Sequence, residues 1–254
     1  MASRPIHSDA DRRRLAATFD SAAELYDSVR PDFAAAALGW VLPDRCRWVL
    51  DLGAGTGKLT ELVVRRGLDV IAVDPSPNML ARLRARLPDV DARVGSAERI
   101  DLPDGSVDAV VVGSAFHWFD RPAADLEIAR VLRSGGTVGL LWNRRDPSFA
   151  PWQVFDRADR ARAHPQPSHG RDVTMAAEWF GPTKRREFPH SQRIAPQQIV
   201  DLLASRSYVI AMDEPARVEL LDRVRESIRT HPDLIGRTEV DAPYLTTALR
   251  AHRL

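Results

Sequence analysis

The run Val49-Leu50-Asp51-Leu52-Gly53-Ala54-Gly55-Thr56-Gly57-Lys58 constrains the fold of this chain more than any other segment. It reads as a strand ending in an acid, a turn built on alternate glycines, and the start of a helix. Each glycine omits a Cβ where the backbone turns tightly or comes close to a ligand, and the helix beyond offers unpaired N–H groups at the positive end of its dipole. A second strand over residues 69–74 ends in Asp74, 17 positions after Gly57, which leaves room for one intervening helix. Strand, glycine turn, helix and strand predict a parallel β-α-β unit with a nucleotide-like ligand at the turn.

Spacing sorts the glycine-loop chemistries that share this outline. A phosphate-cradling G-x-x-x-x-G-K-[ST] loop ending in Gly57-Lys58 would need glycine at Leu52 and a hydroxyl at Leu59, so the Gly-Lys pair reads as coincidence. A G-x-G-x-x-G dinucleotide loop would need its third glycine at Lys58, and the chain has it one residue early at Gly57, which disfavours NAD and FAD. What stands is Asp-x-Gly-x-Gly-x-Gly, with a carboxylate at the end of the first strand and no obvious provision for a pyrophosphate. An anion there suits a ligand that carries an ammonium group.

These residues resemble the class I S-adenosylmethionine-dependent methyltransferases, in particular the methyltransferase type 11 small-molecule group related to the trans-aconitate and quinone-biosynthesis enzymes. The resemblance runs from about Tyr26 to Asn143 and takes in Asp69-Val70-Ile71-Ala72-Val73-Asp74, Gly95-Ser96-Ala97-Glu98, and the run from Leu102 through Asp104-Gly105 to Val110. It implies an α/β fold, with a Rossmann-like seven-stranded, mostly parallel sheet, helices on both faces and an N-terminal helical lid. It also implies S-adenosylmethionine as cofactor and S-adenosylhomocysteine as product. Asp51 would then anchor the amino end, Asp74 both ribose hydroxyls, and Gly53, Ala54, Gly55, Thr56 and Gly57 would approach the cofactor through their backbone. Pro75, Ser76 and Met79 follow the ribose acid, Ser96, Ala97 and Glu98 correspond to the adenine side, and Ser114 and Ala115 close the fourth strand. Ser96 departs from the pattern, since many relatives carry Asp there. The stretch from Phe19 to Pro31 resembles the lid, with Tyr26 and Arg30 one helical turn apart and reaching over the methionine end.

Strand ends give independent support. In open α/β sheets ligands sit beyond the carboxyl ends of the strands, and here the first, second and fourth strands end at Asp51, Asp74 and Ser114. The segment Ser114-Ala115-Phe116-His117-Trp118-Phe119 would face the methyl acceptor. Its aromatics suit cation–π contact with a sulfonium, and His117 suits proton removal from an alcohol or phenol, a general-base role. The alternative is plain packing of the loop on the next helix, and a carboxylate acceptor needs no base. Phe116, His117, Trp118, Trp142, Arg206 and Tyr208 are the candidate acceptor contacts, and Trp152, Trp179 and Phe180 are further candidate pocket residues, with a structural role as the alternative.

The remaining periodicities complete an alternating pattern. Leu59, Leu62, Val63 and Arg66 fall on helical spacing, Ser76 reads as an N-cap with Pro77 at the first helical position, and residues 107–113 are a buried central strand. A helix over 122–132, a turn at Gly135-Gly136 and a strand over 137–143 follow. Beyond Arg144 the pattern predicts helices at 152–162, 197–209 and 215–230, the last with a buried stripe of Val218, Leu221, Val224 and Ile228, and strands at 184–194 and 244–252. A single domain over 1–254 is expected, with lid helices in 1–45, the cofactor core in 46–143, and sheet completion with an acceptor-side cover in 144–254.

Composition excludes several function classes. With 254 residues and a net charge of +1 the chain has no field to gather nucleic acid, and Arg12-Arg13-Arg14 and Lys184-Arg185-Arg186 read as solvated runs. Cys46 is the sole cysteine, and His164 and His169 lack a supporting acid, so neither a disulfide nor a metal site is expected. No apolar run approaches a membrane span, and the N-terminus lacks a signal-peptide core, which predicts a cytoplasmic protein, while the sequence leaves monomer and homodimer both open. The expected activity is methyl transfer to a small organic acceptor such as a carboxylic acid, phenol or quinone. The alternatives are an RNA or protein methyltransferase, a non-catalytic S-adenosylmethionine sensor, and an NAD-dependent oxidoreductase. Base methylation is disfavoured because Ser114-Ala115-Phe116-His117 carries no Asn/Asp-Pro-Pro-aromatic sequence and Cys46 follows Arg45 rather than proline.

Overall fold

The computed structural model of the protein describes residues 30–155 and 173–254. Its strands are β1 Trp48–Leu52, β2 Asp69–Asp74, β3 Asp91–Val94, β4 Val107–Gly113, β5 Leu132–Arg145, β6 Lys184–Ile194 and β7 Val240–His252. The helices are α1 Ala35–Val41, α2 Lys58–Val64, α3 Pro77–Arg86, α4 Arg121–Val131, α5 Gln197–Ala204, α6 Ser207–Ile210 and α7 Glu214–Arg229. All seven strands form one sheet in the order β3-β2-β1-β4-β5-β7-β6. Strands β1 to β5 pair in parallel and β7 runs antiparallel to β5, so the expected mostly parallel Rossmann-like sheet is present.

Successive residues of a strand point to opposite faces, and the two faces bury different helices. Val49, Ala109, Val111 and Leu141 pack with Ala37, Leu38 and Val41 of α1 and Leu59, Leu62 and Val63 of α2. Their neighbours Leu50, Leu52, Val110, Val112 and Leu140 pack on the other face with Ala124, Ile128 and Ala129 of α4. Helix α1 falls within the range expected for the lid, yet it is part of this core. Residues 1–29, and with them Tyr26 and most of the expected lid, lie outside the described residues.

Local chemistry sets the element boundaries near the site. The Ser76 hydroxyl accepts the Met79 N–H at 3.2 Å, and Pro77 starts α3 as the sequence predicts. Gly135 and Gly136 interrupt the β4–β5 ladder rather than separating a helix from a shorter strand: pairing passes from Val107–Leu132 to Ala109–Thr137, so β5 begins at the end of α4. The short strand β3, which periodicity did not single out, has its four residues half-buried or exposed and carries no apolar signal.

Contacts divide the chain into two compact units, one of Pro31–Asp146, Gln166–Gln192 and Pro243–Leu254, the other of Met1–Arg30, Pro147–Pro165 and Arg193–Ala242. The first carries the sheet. In the second, α5 buries Ile199, Val200, Leu202 and Leu203, and Phe149, Trp152 and Phe155 stack edge to face at 5.5 and 5.7 Å. Two expectations fail here. The helix expected over 197–209 breaks after Ala204 into α5 and α6, and the expected stripe on α7 is narrower, because Val224 and Ile228 are buried while Val218 is 47% exposed and Leu221 half-exposed. Most of the expected helix over 152–162, together with His164 and His169, lies outside the described residues.

Candidate functional site

Strand β1 delivers Asp51 into a fully buried position at its carboxyl end. Thr60, on the first turns of α2, donates its hydroxyl to Asp51 Oδ2 at 2.6 Å, while Oδ1 has no hydrogen-bond partner among the described residues. Burial pushes the Asp51 carboxyl up to about 7; the Thr60 hydrogen bond opposes this, and the charge of Asp74 adds to it. A buried carboxylate oxygen with nothing to bind is costly, so the position calls for a donor that the described residues do not supply.

Strand β2 ends at Asp74, which is 8% exposed. Its Oδ2 accepts the Gly55 N–H at 2.8 Å and its Oδ1 accepts the Ser76 N–H at 2.8 Å, so this acid holds the glycine loop and the α3 entrance in one geometry. Gly53 and Gly55 are needed for different reasons. At Gly53, with φ of +73°, a Cβ would lie 2.6 Å from the Ala115 Cβ, so the missing side chain admits the turn that follows β4. At Gly55, with φ of +56°, a Cβ would meet nothing within 4 Å among the described residues, so this residue borders space that they leave open.

The third wall starts at Ser114, which has φ of 56° and is the one non-glycine with positive φ among the described residues. A left-handed serine is strained, and the Ser114 N–H bond to the Leu141 carbonyl at 2.8 Å holds it there. The reversal carries the chain into a 3-10 turn, Phe116–Trp118. Phe116 is 2% exposed and meets Phe119 and Trp142 edge to face at 5.6 and 6.5 Å, with the Arg121 guanidinium 4.7 Å above its ring. Phe116 and Trp142 therefore serve the core behind the turn. His117 is exposed beside Trp118, with ring centroids 4.7 Å apart, and is the polar group that the turn presents.

The other expected contacts fall as follows. Ala54, Thr56 and Met79 are buried around the loop, and Pro75 is exposed. Ser96 pairs with Arg99 in an isolated bridge, Ala97 is buried, and Glu98 Oε1 accepts the Asp120 N–H at 2.9 Å, which joins the segment after β3 to the segment after β4. Arg30 and Arg206 belong to the second unit, where the Arg206 guanidinium lies 5.6 Å from the Phe155 ring centroid. The side chain of Tyr208 lies outside the described residues.

A polar group escaped the sequence reading. Asp32 Oδ1 meets Lys58 Nζ at 3.2 Å, and the Asp32 carbonyl accepts hydrogen bonds from Asn143 Nδ2 at 3.0 Å and His190 Nε2 at 3.0 Å. Thr246 Oγ1 donates to Asn143 Oδ1 at 2.6 Å and accepts the Ala34 N–H at 3.0 Å. These partners are up to 212 positions apart, so no local spacing signals them. Only the Gly57-Lys58 pair was visible beforehand, and as coincidence.

A family model described as a methyltransferase domain matches residues 50–140, which spans β1 to β5 and the three walls of the site. The chain is 45% identical over 240 residues to an uncharacterised methyltransferase of Mycobacterium tuberculosis, covering 94% of this chain and 97% of that one. A demethylmenaquinone methyltransferase of Renibacterium salmoninarum is 31% identical over 155 residues, 61% of this chain and 65% of the other. Among solved structures, a candidate type II methyltransferase from Anaeromyxobacter dehalogenans superposes with a TM-score of 0.69 at 25% identity, over 88% of this chain and 97% of that one. The chain belongs to the class I S-adenosylmethionine-dependent methyltransferases, and it is an enzyme of methyl transfer.

Proposed function

We propose that the protein binds S-adenosylmethionine across the carboxyl ends of β1, β2 and β4 and methylates a small organic acceptor at the turn that begins with Ser114. The observation that carries the cofactor site is Asp51, buried, with one carboxylate oxygen bonded by Thr60 and the other left for a ligand donor. An ammonium suits that carboxylate oxygen in charge and hydrogen-bonding capacity. The open space over Gly55 fits a ligand lying against the loop backbone, and Asp74 lies at the loop's other edge, where a ribose would present its hydroxyls. When bound, the cofactor supplies an electrophilic methyl group on a sulfonium.

The protein's part is positioning and water exclusion, which convert a two-body encounter into a fixed approach. Asp51 orients the amino end, Asp74 the ribose, and the strained Ser114 turn brings the acceptor side against the loop through Ala115. His117 Nδ1 or Nε2 takes a proton where the acceptor is an alcohol or phenol, and orients a carboxylate by donating to it. A carboxylic acid, phenol or quinone-like acceptor suits an exposed imidazole beside an indole, and the Renibacterium relative is named for a quinone-type substrate. Labelled methyl transfer from S-adenosylmethionine into a fractionated metabolite extract tests the reading. Label in an acidic or phenolic small molecule is the expected outcome, and label confined to RNA or protein contradicts it.

A further inference from the structure

We infer that Asp32 cancels the charge of Lys58 beside the glycine loop, so that this lysine does not turn the cofactor site against the positively charged methyl donor relative to its neutral product. The inference rests on the cofactor reading above. S-adenosylmethionine carries a sulfonium cation, and S-adenosylhomocysteine has an uncharged thioether at the same place. Any fixed charge near the glycine loop therefore acts on the two ligands unequally.

Lys58 directly follows Gly57, the last glycine of the loop, and its side chain is only 19% exposed. A lysine there sets a positive charge beside a site for a cationic ligand. Asp32 meets it with a carboxylate, Oδ1 to Nζ at 3.2 Å. An ordinary surface pair would hold itself together only weakly, because two long side chains lose freedom in high dielectric. The Asp32 carboxylate is itself 60% exposed, but the backbone that carries it is held by other means. Its carbonyl accepts from Asn143 Nδ2, at the carboxyl end of β5, and from His190 Nε2 on β6, each at 3.0 Å. A carbonyl only accepts, so the Nε2 of His190 carries the proton. On one side Asn143 also donates to the Pro31 carbonyl at 3.1 Å, and on the other the Ala34 N–H donates to Thr246 Oγ1 at 3.0 Å. Between them the Phe33 ring lies 3.0 Å from where a Gly113 Cβ would be, at the end of β4. Residues 31–34 thus run past the ends of β4 and β5, and the backbone at Asp32 is held beside the loop independently of the lysine.

With the pair intact, the neighbourhood keeps the negative character of Asp51 and Asp74, which favours a cation. Removing Asp32 leaves Lys58 uncompensated and turns it against the sulfonium. Removing Lys58 leaves Asp32 uncompensated and does the opposite. One partly screened unit charge within about a Debye length of a charged ligand is worth roughly three- to tenfold in affinity.

The test is calorimetric titration of the full-length protein with each ligand separately, in the wild type, Asp32→Asn, Lys58→Met and the double variant. Asp32→Asn is expected to lower the ratio of donor to product affinity by roughly three- to tenfold, Lys58→Met to raise it by a similar factor, and the double variant to restore the wild-type ratio. A purely structural role would move both affinities together. Equal changes for the two ligands in both single variants, or a ratio that never moves, overturn the inference while leaving the site intact. A wild type that binds neither ligand overturns the site reading itself.

Discussion

The Asp74 carboxylate and the Gly55 N–H, 19 residues apart in the chain, are joined by a 2.8 Å hydrogen bond that ties the end of β2 to the middle of the glycine loop. Because Oδ1 also accepts the Ser76 N–H, one acid shapes two backbone segments before any ligand arrives. Asp74→Ala should therefore cost both stability and binding. Each lost bond to a charged acceptor is worth about 1.5–3 kcal/mol, so urea unfolding should show a loss of at least about 2 kcal/mol. Asp74→Asn, which can still accept one N–H, should recover part of the stability with little of the affinity for S-adenosylhomocysteine.

The two central glycines should separate folding from binding. Gly53→Ala forces a Cβ to within 2.6 Å of Ala115 at a φ of +73°, so it should lower stability by about 2 kcal/mol or more in thermal unfolding. Gly55→Ala adds a Cβ to open space and should cost only about 1 kcal/mol for its left-handed backbone. Its affinity for S-adenosylhomocysteine should nonetheless fall at least about tenfold, because the new methyl group occupies the space of the ligand. Equal affinity in Gly55→Ala and wild type would place the ligand elsewhere.

Asp51 makes binding and stability depend on pH in opposite ways. Its folded carboxyl titrates at about 7, above the ordinary range for aspartate, because it is buried. Between about pH 4 and pH 7 the folded protein keeps a proton that the unfolded chain has lost, so this residue's contribution to stability declines as pH rises through that window. Asp51→Asn should match the wild type near pH 4 and exceed it by about 4 kcal/mol at pH 8 in the absence of ligand. An ammonium ligand needs the ionised form. Affinity should climb by up to about tenfold per unit below pH 7 and level off above it, with proton release detectable by calorimetry at pH 6 in buffers of different ionisation enthalpy.

Phe116 and His117 are adjacent and should behave differently. Phe116→Ala empties a packed site next to Trp142 and Phe119 and should cost about 3–4 kcal/mol in denaturant unfolding. His117→Gln, at an exposed position, should change stability by no more than about 0.5 kcal/mol. With an alcohol or phenol acceptor its kcat should drop about 100-fold, and with a carboxylate acceptor it should change little.

What the sequence made legible follows from distance along the chain. The loop, the Ser76 cap and the strand end at Asp74 depend on neighbours within a few residues and lie where spacing put them, while β1 runs one residue past the expected Asp51, to Leu52. Strand β4 was also read to the residue, because a central strand buried on both faces is apolar throughout. Elements governed by partners far away were missed or misjudged. Val218 looks like a core residue on a helical wheel and is exposed, since the packing surface of α7 is set by what it meets rather than by its own period. Phe116 looked like an acceptor contact, and its burial depends on Trp142 and Arg121. Asp32, Asn143, His190 and Thr246 gave no signal, because each is an unremarkable polar residue until folding brings them together.

The most direct test of the cofactor site is the affinity of the purified protein for S-adenosylhomocysteine, measured by calorimetry in the wild type and in Asp51→Ala. If the buried carboxylate pairs with the ligand's ammonium, the wild type binds and the variant loses about 2 kcal/mol or more, a factor of roughly 30. Unchanged affinity in Asp51→Ala would contradict the role assigned to the acid at the end of β1, and stabilisation by NADH in place of S-adenosylhomocysteine would contradict the site as a whole.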